Sequence, residues 1–342
     1  MAHLFVFFPL KYLRSSILVL LLLCTACSAA TLTSYPTQVP SSSLPGQQFW
    51  KEGVSSFLFG TNDTQEWYSN NVETSAAIQQ ALKDAHFTLM RTFFFDKSLA
   101  DGHSTTDAEI EQRLKTIENS GMTCLGVLFN IFDVNFDKHV VTYAGPRCQI
   151  YEFGNESDYN GISIDTYLKQ WNEVIPLLRH INPNAKFIGP ATHNNLGNNN
   201  FMMMFLQGVR SSGVLPDAIS FHWYPCYQDI ESSCLFKANS YGQAALVVHA
   251  LVQHILGKNL PVGITEWNYF PSYPPPAYGD DPNFISNFTT DALLSMIQAD
   301  VVFACQFDAA SGTFGLDMFD YRTNEPKSQF ITMNNLIQQY RT

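Results

Sequence analysis

Charge is what this 342-residue sequence has least of: Asp, Glu, Lys and Arg make up 14% of it, against 46% hydrophobic and 14% aromatic residues. A chain that apolar can bury a large core, which excludes the disordered class. Basic residues are the scarcer sign, 19 against 30 acidic, for a formal net charge of −11. A nucleic-acid partner needs a basic face, so the acid excess argues against that class. An acidic, aromatic-rich surface suits a neutral ligand. After Cys27, no CxxC, HxH or His/Cys cluster offers the spacing of a metal site, and no cofactor is implied. No internal repeat is present. The length leaves no room for a second domain if the fold is an α/β barrel, which commonly takes roughly 250 residues or more.

What is present begins with a targeting pattern. Lys11 and Arg14 precede the apolar run ILVLLLLC, followed by Thr25, Ala26 and Cys27. This is a basic segment, an apolar stretch too short to span a membrane, and a small-residue cleavage site. The run LLCTAC, ending at Cys27, resembles the lipobox of bacterial lipoproteins, with Cys24 standing where that motif prefers Leu. The resemblance implies a signal peptide over residues 1–27, lipidation of Cys27, and an extracytoplasmic protein whose one tie to the membrane is that anchor; plain secretion is the alternative. Residues 28–48 carry no charge and are rich in Ser, Thr and Pro, which reads as a solvated tether. The folded domain is then expected over 49–342, as a monomer. Export permits disulfides. Cys226 and Cys234 enclose a short polar stretch, YQDIESS, and are the expected pair. Cys124, Cys148 and Cys305 lie in or beside apolar runs; their pairing is open, and an odd count leaves at least one thiol free.

Beyond the tether, short apolar runs alternate with helix-length amphipathic segments. Strands are expected at 55–62, 87–95, 122–131, 148–156, 186–192, 217–225, 260–270 and 299–309. Helices are expected at 74–85, 107–121, 164–181, 201–213, 238–256, 284–299 and 328–340, and the weakest helical signal lies between the third and fourth strands. Strict alternation implies parallel strands. Eight such units predict a single (β/α)₈ TIM barrel of the α/β class.

In such a barrel the chemistry sits at the C-terminal strand ends. Those ends offer Arg91 on strand 2, Asn155 and Glu156 on strand 4, and His193 and Asn194 after strand 5. Strand 6 ends in His222 and Tyr224, strand 7 in Glu266 and Trp267, and strand 8 in Gln306 and Asp308. Two carboxylates on strands 4 and 7 would face each other across the mouth. Glycoside hydrolysis needs such a pair, one carboxyl to protonate the leaving oxygen and the other to attack the anomeric carbon. Arg91 and the Tyr224 hydroxyl would support a charged Glu266, and Asn155 could bond a sugar 2-hydroxyl.

Three short motifs, GNE ending strand 4, HWYP ending strand 6 and ITEW ending strand 7, resemble those of the clan A retaining glycoside hydrolases. YEFGNESD is close to the WEIGNEPD-like wording of several of its families. The resemblance implies Glu156 as acid/base, Asn155 as its partner, Glu266 as nucleophile, His222 and Tyr224 lining the subsite beside the scissile bond, and Arg91 next to the nucleophile. The substrate so implied is a β-linked poly- or oligosaccharide. Many relatives end strand 8 in Trp; here the run is CQFDA, so the sugar platform is expected from Phe307, Trp267 or a loop.

Blander roles stand beside these. Glu152 would either support the acid/base from below or pair with Arg91. Arg91, His222 and Tyr224 could be structural, and His193 and Asn194 could contact sugar or cap their loop. Trp50, Trp67, Trp223 and Trp267 are possible stacking platforms, with Trp223 out of phase and better read as packing, and Trp171 as core. Two other functions are conceivable: a non-catalytic carbohydrate-binding lipoprotein on the same barrel, and a metal-dependent hydrolase using His193, His222 and Asp308.

Overall fold

Eight of the apolar runs form parallel strands that close on themselves: β1 (Gly60–Asp63), β2 (Leu89–Phe94), β3 (Thr123–Leu128), β4 (Cys148–Phe153), β5 (Lys186–Thr192), β6 (Ala218–Trp223), β7 (Val262–Trp267) and β8 (Phe303–Gln306). The order around the barrel is the order in the chain, with β1 paired to both β2 and β8. The coordinates are a computed structural model that describes residues 43–64, 72–96, 104–270, 276–310, 316–320 and 322–341. Lys11, Arg14, Cys27, most of the tether, Trp67 and part of the loop after β7 lie outside these residues. Among the described residues no helix is long and apolar enough to cross a membrane.

The helices are α1 (Ala76–Asp84), α2 (Asp107–Asn119), α3 (Val134–Ala144), α4 (Ile164–Ile181), α5 (Phe201–Ser212), α6 (Glu231–Lys237), α7 (Ser240–Leu256), α8 (Pro282–Gln298) and α9 (Ser328–Arg341). Their starts follow from side-chain chemistry. Ser75, Asp133, Ser163 and Asp281 cap four of them by accepting first-turn N–H groups. Thr106 and Glu109 cap each other's backbone reciprocally at the start of α2.

Two helices were not expected. α3 is poor in strong helix formers, carrying three valines and a threonine, so its helical signal was weak. α6 begins inside the polar loop expected between Cys226 and Cys234, leaving 227–230 as loop and Cys234 on the helix. A disulfide joins those cysteines, and Lys237 on the same segment bridges Asp229 at 2.8 Å. A second disulfide joins Cys124 to Cys148, which face each other in the β3–β4 ladder. Cys305 is a free, buried thiol.

Strand alternation sorts the core into two compartments. Met90, Phe94, Tyr151, Phe153 and Phe221 face outward and join the large apolar cluster beneath the helices, with Trp171 among it. Leu89, Leu125, Ile150, Ile188, Ala218, Phe303 and Cys305 belong to a separate cluster that fills the lumen floor. One pleat higher, the inward residues turn polar. The ladder also slips there, between Phe221 and His222 on β6 and between Ile264 and Trp267 on β7. Such irregularities re-aim side chains. The slip on β7 leaves consecutive residues, Thr265 and Glu266, both bonded to lumen groups.

Candidate active site

Arg91 is the centre of the polar storey. It is fully buried, and its guanidinium donates in three directions. Nε reaches Glu152 Oε2 at 2.7 Å, Nη1 reaches Glu266 Oε1 at 2.7 Å and Asn62 Oδ1 at 2.9 Å, and Nη2 reaches Asn155 Oδ1. The Phe93 ring faces it, 4.7 Å from Cζ. A buried guanidinium is stable only if paired. Burial pulls its affinity for the proton down, but the charges and hydrogen bonds of Glu152 and Glu266 outweigh that and raise it. Glu152 therefore pairs with Arg91, and its second oxygen accepts from Thr265 Oγ1 at 2.8 Å. It does not reach the mouth.

Glu156 does. Gly154 and Glu156 both have positive φ, +78° and +45°, so β4 ends in a turn that an L side chain adopts only under strain. A Cβ on residue 154 would also come within 2.9 Å of Ser157 Oγ. The Glu156 N–H donates to Ala191 O at 2.9 Å, and its carbonyl accepts from the N–H groups of Tyr159 and Asn160, which hold the turn. Its side chain, 23% exposed, bonds His222 Nδ1 at 2.8 Å.

His222 links the two carboxylates. Its Nδ1 is also 3.5 Å from Glu266 Oε2, and its Nε2 is 3.4 Å from Arg91 Nη2. Burial lowers its basicity, but the Glu266 charge and the Glu156 hydrogen bond and charge outweigh that, and its pKa is raised. The same contact acts oppositely on Glu156. Burial pushes that carboxyl up, yet the His222 hydrogen bond, with the His222, His193 and Arg91 charges, holds it below its ordinary value. Tyr224 donates its hydroxyl to Glu266 Oε2 at 3.0 Å. Burial, then the Glu266 and Glu156 charges, push that phenol well up, so it stays protonated as a donor.

Glu156, His222 and Glu266 each bring one ligand-type atom within 4.8 Å of the others, the one such group among the described residues. A cation there would meet Arg91, which already holds a Glu266 oxygen at 2.7 Å and approaches His222. The arrangement suits proton transfer and nucleophilic attack better than metal binding. His193, His222 and Asp308 have separate partners: Asp158, Glu156 and the Thr64 hydroxyl.

The remaining expected residues divide. Phe307 is at the mouth, half-buried, with its ring edge-on to Tyr224 at 6.3 Å. Trp267 is not, which corrects its reading as a sugar platform. It alternates outward on β7, is fully buried, and packs edge-on against Tyr241 at 5.8 Å. Asn194 caps its own loop: Oδ1 accepts from the Leu196 and Gly197 N–H groups, and Nδ2 lies 2.9 Å from His193 Nε2. Trp50 stacks on Phe59 at 5.4 Å. Asn62 was overlooked. It is fully buried at the end of β1, holds Arg91, and donates to the carbonyls of Thr265, Cys305 and Gln306. Its signal was the same strand-end rule, applied to the first apolar run.

No protein-family model matches the sequence, and no curated protein matches it. Solved structures do match in fold. A glucosidase from Croceicoccus marinus superposes with a TM-score of 0.66 at 15% identity, over 88% of this chain and 69% of its own. A β-xylosidase of glycoside hydrolase family 39 from Caulobacter crescentus gives 0.63 at 12%, over 82% and 71%. A family 39 glycoside hydrolase from Bacteroides cellulosilyticus gives 0.61 at 14%, over 82% of this chain; the chain spans 64% of that protein's length. At these identities the likeness establishes the (β/α)₈ barrel.

Proposed function

We propose that the chain is a retaining glycoside hydrolase that cleaves β-linked poly- or oligosaccharides by double displacement, with Glu156 as acid/base and Glu266 as nucleophile. The observation that carries this is a pair of carboxylates at the barrel mouth with oxygens within 4.8 Å of each other. Retaining hydrolases hold the two groups about 5 Å apart, whereas inverting ones leave roughly 6.5–9.5 Å for a water. The matching barrels of known glycosidases support the same reading.

Their surroundings fit different roles. Glu266 accepts from a guanidinium and a phenol, which fix its orientation and solvate its charge. Glu156 is the more open of the two and bonds a histidine. Burial is the largest single influence on it and acts upward. A sugar laid over the carboxyl strips more water from it and adds to that influence. His222 Nδ1, 2.8 Å from Glu156 Oε1, is within hydrogen-bond reach to pass a proton to it.

In the first step Glu266 attacks the anomeric carbon while Glu156 gives its proton to the departing oxygen, leaving a glycosyl ester on Glu266. In the second, Glu156 takes a proton from water as that water attacks the same carbon and frees Glu266. Asn155 accepts from Arg91 through Oδ1, which leaves its amide N–H groups to donate to a sugar hydroxyl.

The test is a panel of aryl β-glycosides with β-glucan, mannan, xylan and galactan. Glu266→Ala is expected to abolish turnover of whichever substrate the wild type cleaves. Glu156→Ala is expected to cost about 10²–10⁴-fold, most for poor leaving groups that need the proton. Wild-type rates in either variant would refute the assignment. The export signal and the Cys27 anchor belong to the same proposal; metabolic palmitate labelling that persists in Cys27→Ala would refute the anchor.

A further inference from the structure

Between the β5 and β6 loops a cleft of about 270 Å³ opens, lined by His193, Asn194, Trp223, Tyr224 and Tyr227 among others. It adjoins both carboxylates. Tyr224 donates to Glu266, and the Glu156 N–H donates to the carbonyl of Ala191, two residues before His193.

The cleft is built rather than incidental. His193 is held by Asp158, whose side chain is fully buried and which accepts from both His193 Nδ1 at 2.7 Å and the His193 N–H at 3.2 Å. Asn194 is locked by its loop, and the indole N–H of Trp223 donates to Ser240 Oγ at 2.9 Å. Tyr227 is 59% exposed, on the loop stapled by Cys226–Cys234. Tyr159, 66% exposed, lies beside His193 with ring centroids 5.4 Å apart. Exposed aromatic faces are costly to leave in water and suit the C–H faces of a sugar, while fixed imidazole and amide groups suit its hydroxyls. Both aromatics sit on connections next to β4 and β6, on the side from which Glu156 would deliver its proton.

We propose that this cleft is the leaving-group subsite and takes a sugar unit of the substrate, so that the chain acts on oligo- or polysaccharides and discriminates against glycosides of small aglycones. This rests on the assignment of Glu156 as acid/base, since the leaving oxygen is the one that group protonates. Tyr227 is the specificity-determining residue, with Tyr159 extending the surface outward.

A glycosyl fluoride tests this because its leaving group occupies nothing beyond the scissile bond. β-D-Glucosyl, mannosyl, xylosyl and galactosyl fluorides are compared with the corresponding β-linked tetrasaccharides, and the pair the wild type cleaves fastest is carried forward. In Tyr227→Ala the ratio of kcat/KM on the tetrasaccharide to that on the fluoride is expected to fall about tenfold, mostly through KM. Transfer of the glycosyl group to an added sugar acceptor should weaken in parallel. Tyr227→Phe keeps the ring and is expected to restore most of the ratio. An unchanged ratio in both Tyr227→Ala and Tyr159→Ala would overturn the subsite while leaving the catalytic assignment standing. A wild type that cleaves none of the fluorides or tetrasaccharides would overturn both.

Discussion

Leu89 and Arg91 are two residues apart on β2, and Ile150 and Glu152 two apart on β4, all four facing the same lumen and fully buried. The lower pair belongs to a close-packed apolar plug. The upper pair is an ion pair at 2.7 Å, extended by Glu266, Asn62, Asn155 and Thr265. One pleat thus separates a region whose contribution is packing from one whose contribution is placed charge. Buried ion pairs are poor stabilisers compared with apolar groups of the same size. The upper storey therefore makes sense through what it presents at the mouth: a carboxylate held in one orientation, and a second bonded to a histidine.

The contrast predicts different failures. The largest effect is expected from Arg91→Met, which strands Glu152 as a buried charge. Stability should fall by about 3–5 kcal/mol in urea unfolding, and turnover should be lost even at temperatures where the variant is folded. A loss under about 1 kcal/mol would mean that Glu152 simply takes up a proton. Next comes Ile150→Ala on the floor, expected to cost about 2–5 kcal/mol by cavity formation. Here kcat/KM per folded molecule should stay at the wild-type value; a loss as deep as that of Arg91→Met would erase the distinction between storeys.

The smallest effect separates the members of the mouth pair by pH. His222 has a raised pKa, so its contribution to stability is full below its ordinary value of 6.5 and is lost as pH rises through the folded value. Glu156 has a lowered one, so its contribution is full above 4.5 and is lost as pH falls through the folded value. The stability difference between wild type and His222→Gln should therefore be greatest between pH 4.5 and 6.5. A flat difference from pH 4 to 9, read by chemical denaturation, would show the pair to be uncharged.

Much of this was visible in the sequence because barrel logic is local. The alternation of apolar runs and amphipathic segments marked the eight strands, although the first run, expected as a strand over 55–62, makes a 3₁₀ turn at Ser56–Leu58 before β1 begins at Gly60. The residues ending those runs included Glu156, His222, Tyr224 and Glu266, whereas Arg91, expected at a strand end, is the third residue of β2. What was not visible depends on register. Trp267 and Glu266 are neighbours in a motif, and which of them faces the lumen is set by the slip in the β7 ladder. The Cys124–Cys148 bridge likewise needs the β3–β4 pairing. Glu152 and Glu156, four residues apart, look interchangeable until Arg91 claims the first and the positive-φ turn lifts the second out of the strand. Asn62 lay at a strand end, yet only the contacts across the lumen reveal it as a clamp on Arg91.

The assignment of Glu266 as nucleophile is tested most directly by the anomeric configuration of a rescued product. Glu266→Ala, incubated with an activated aryl β-glycoside and sodium azide, should regain turnover and yield the α-glycosyl azide, read by proton NMR. Turnover without azide, or a β-glycosyl azide from this variant, would contradict it.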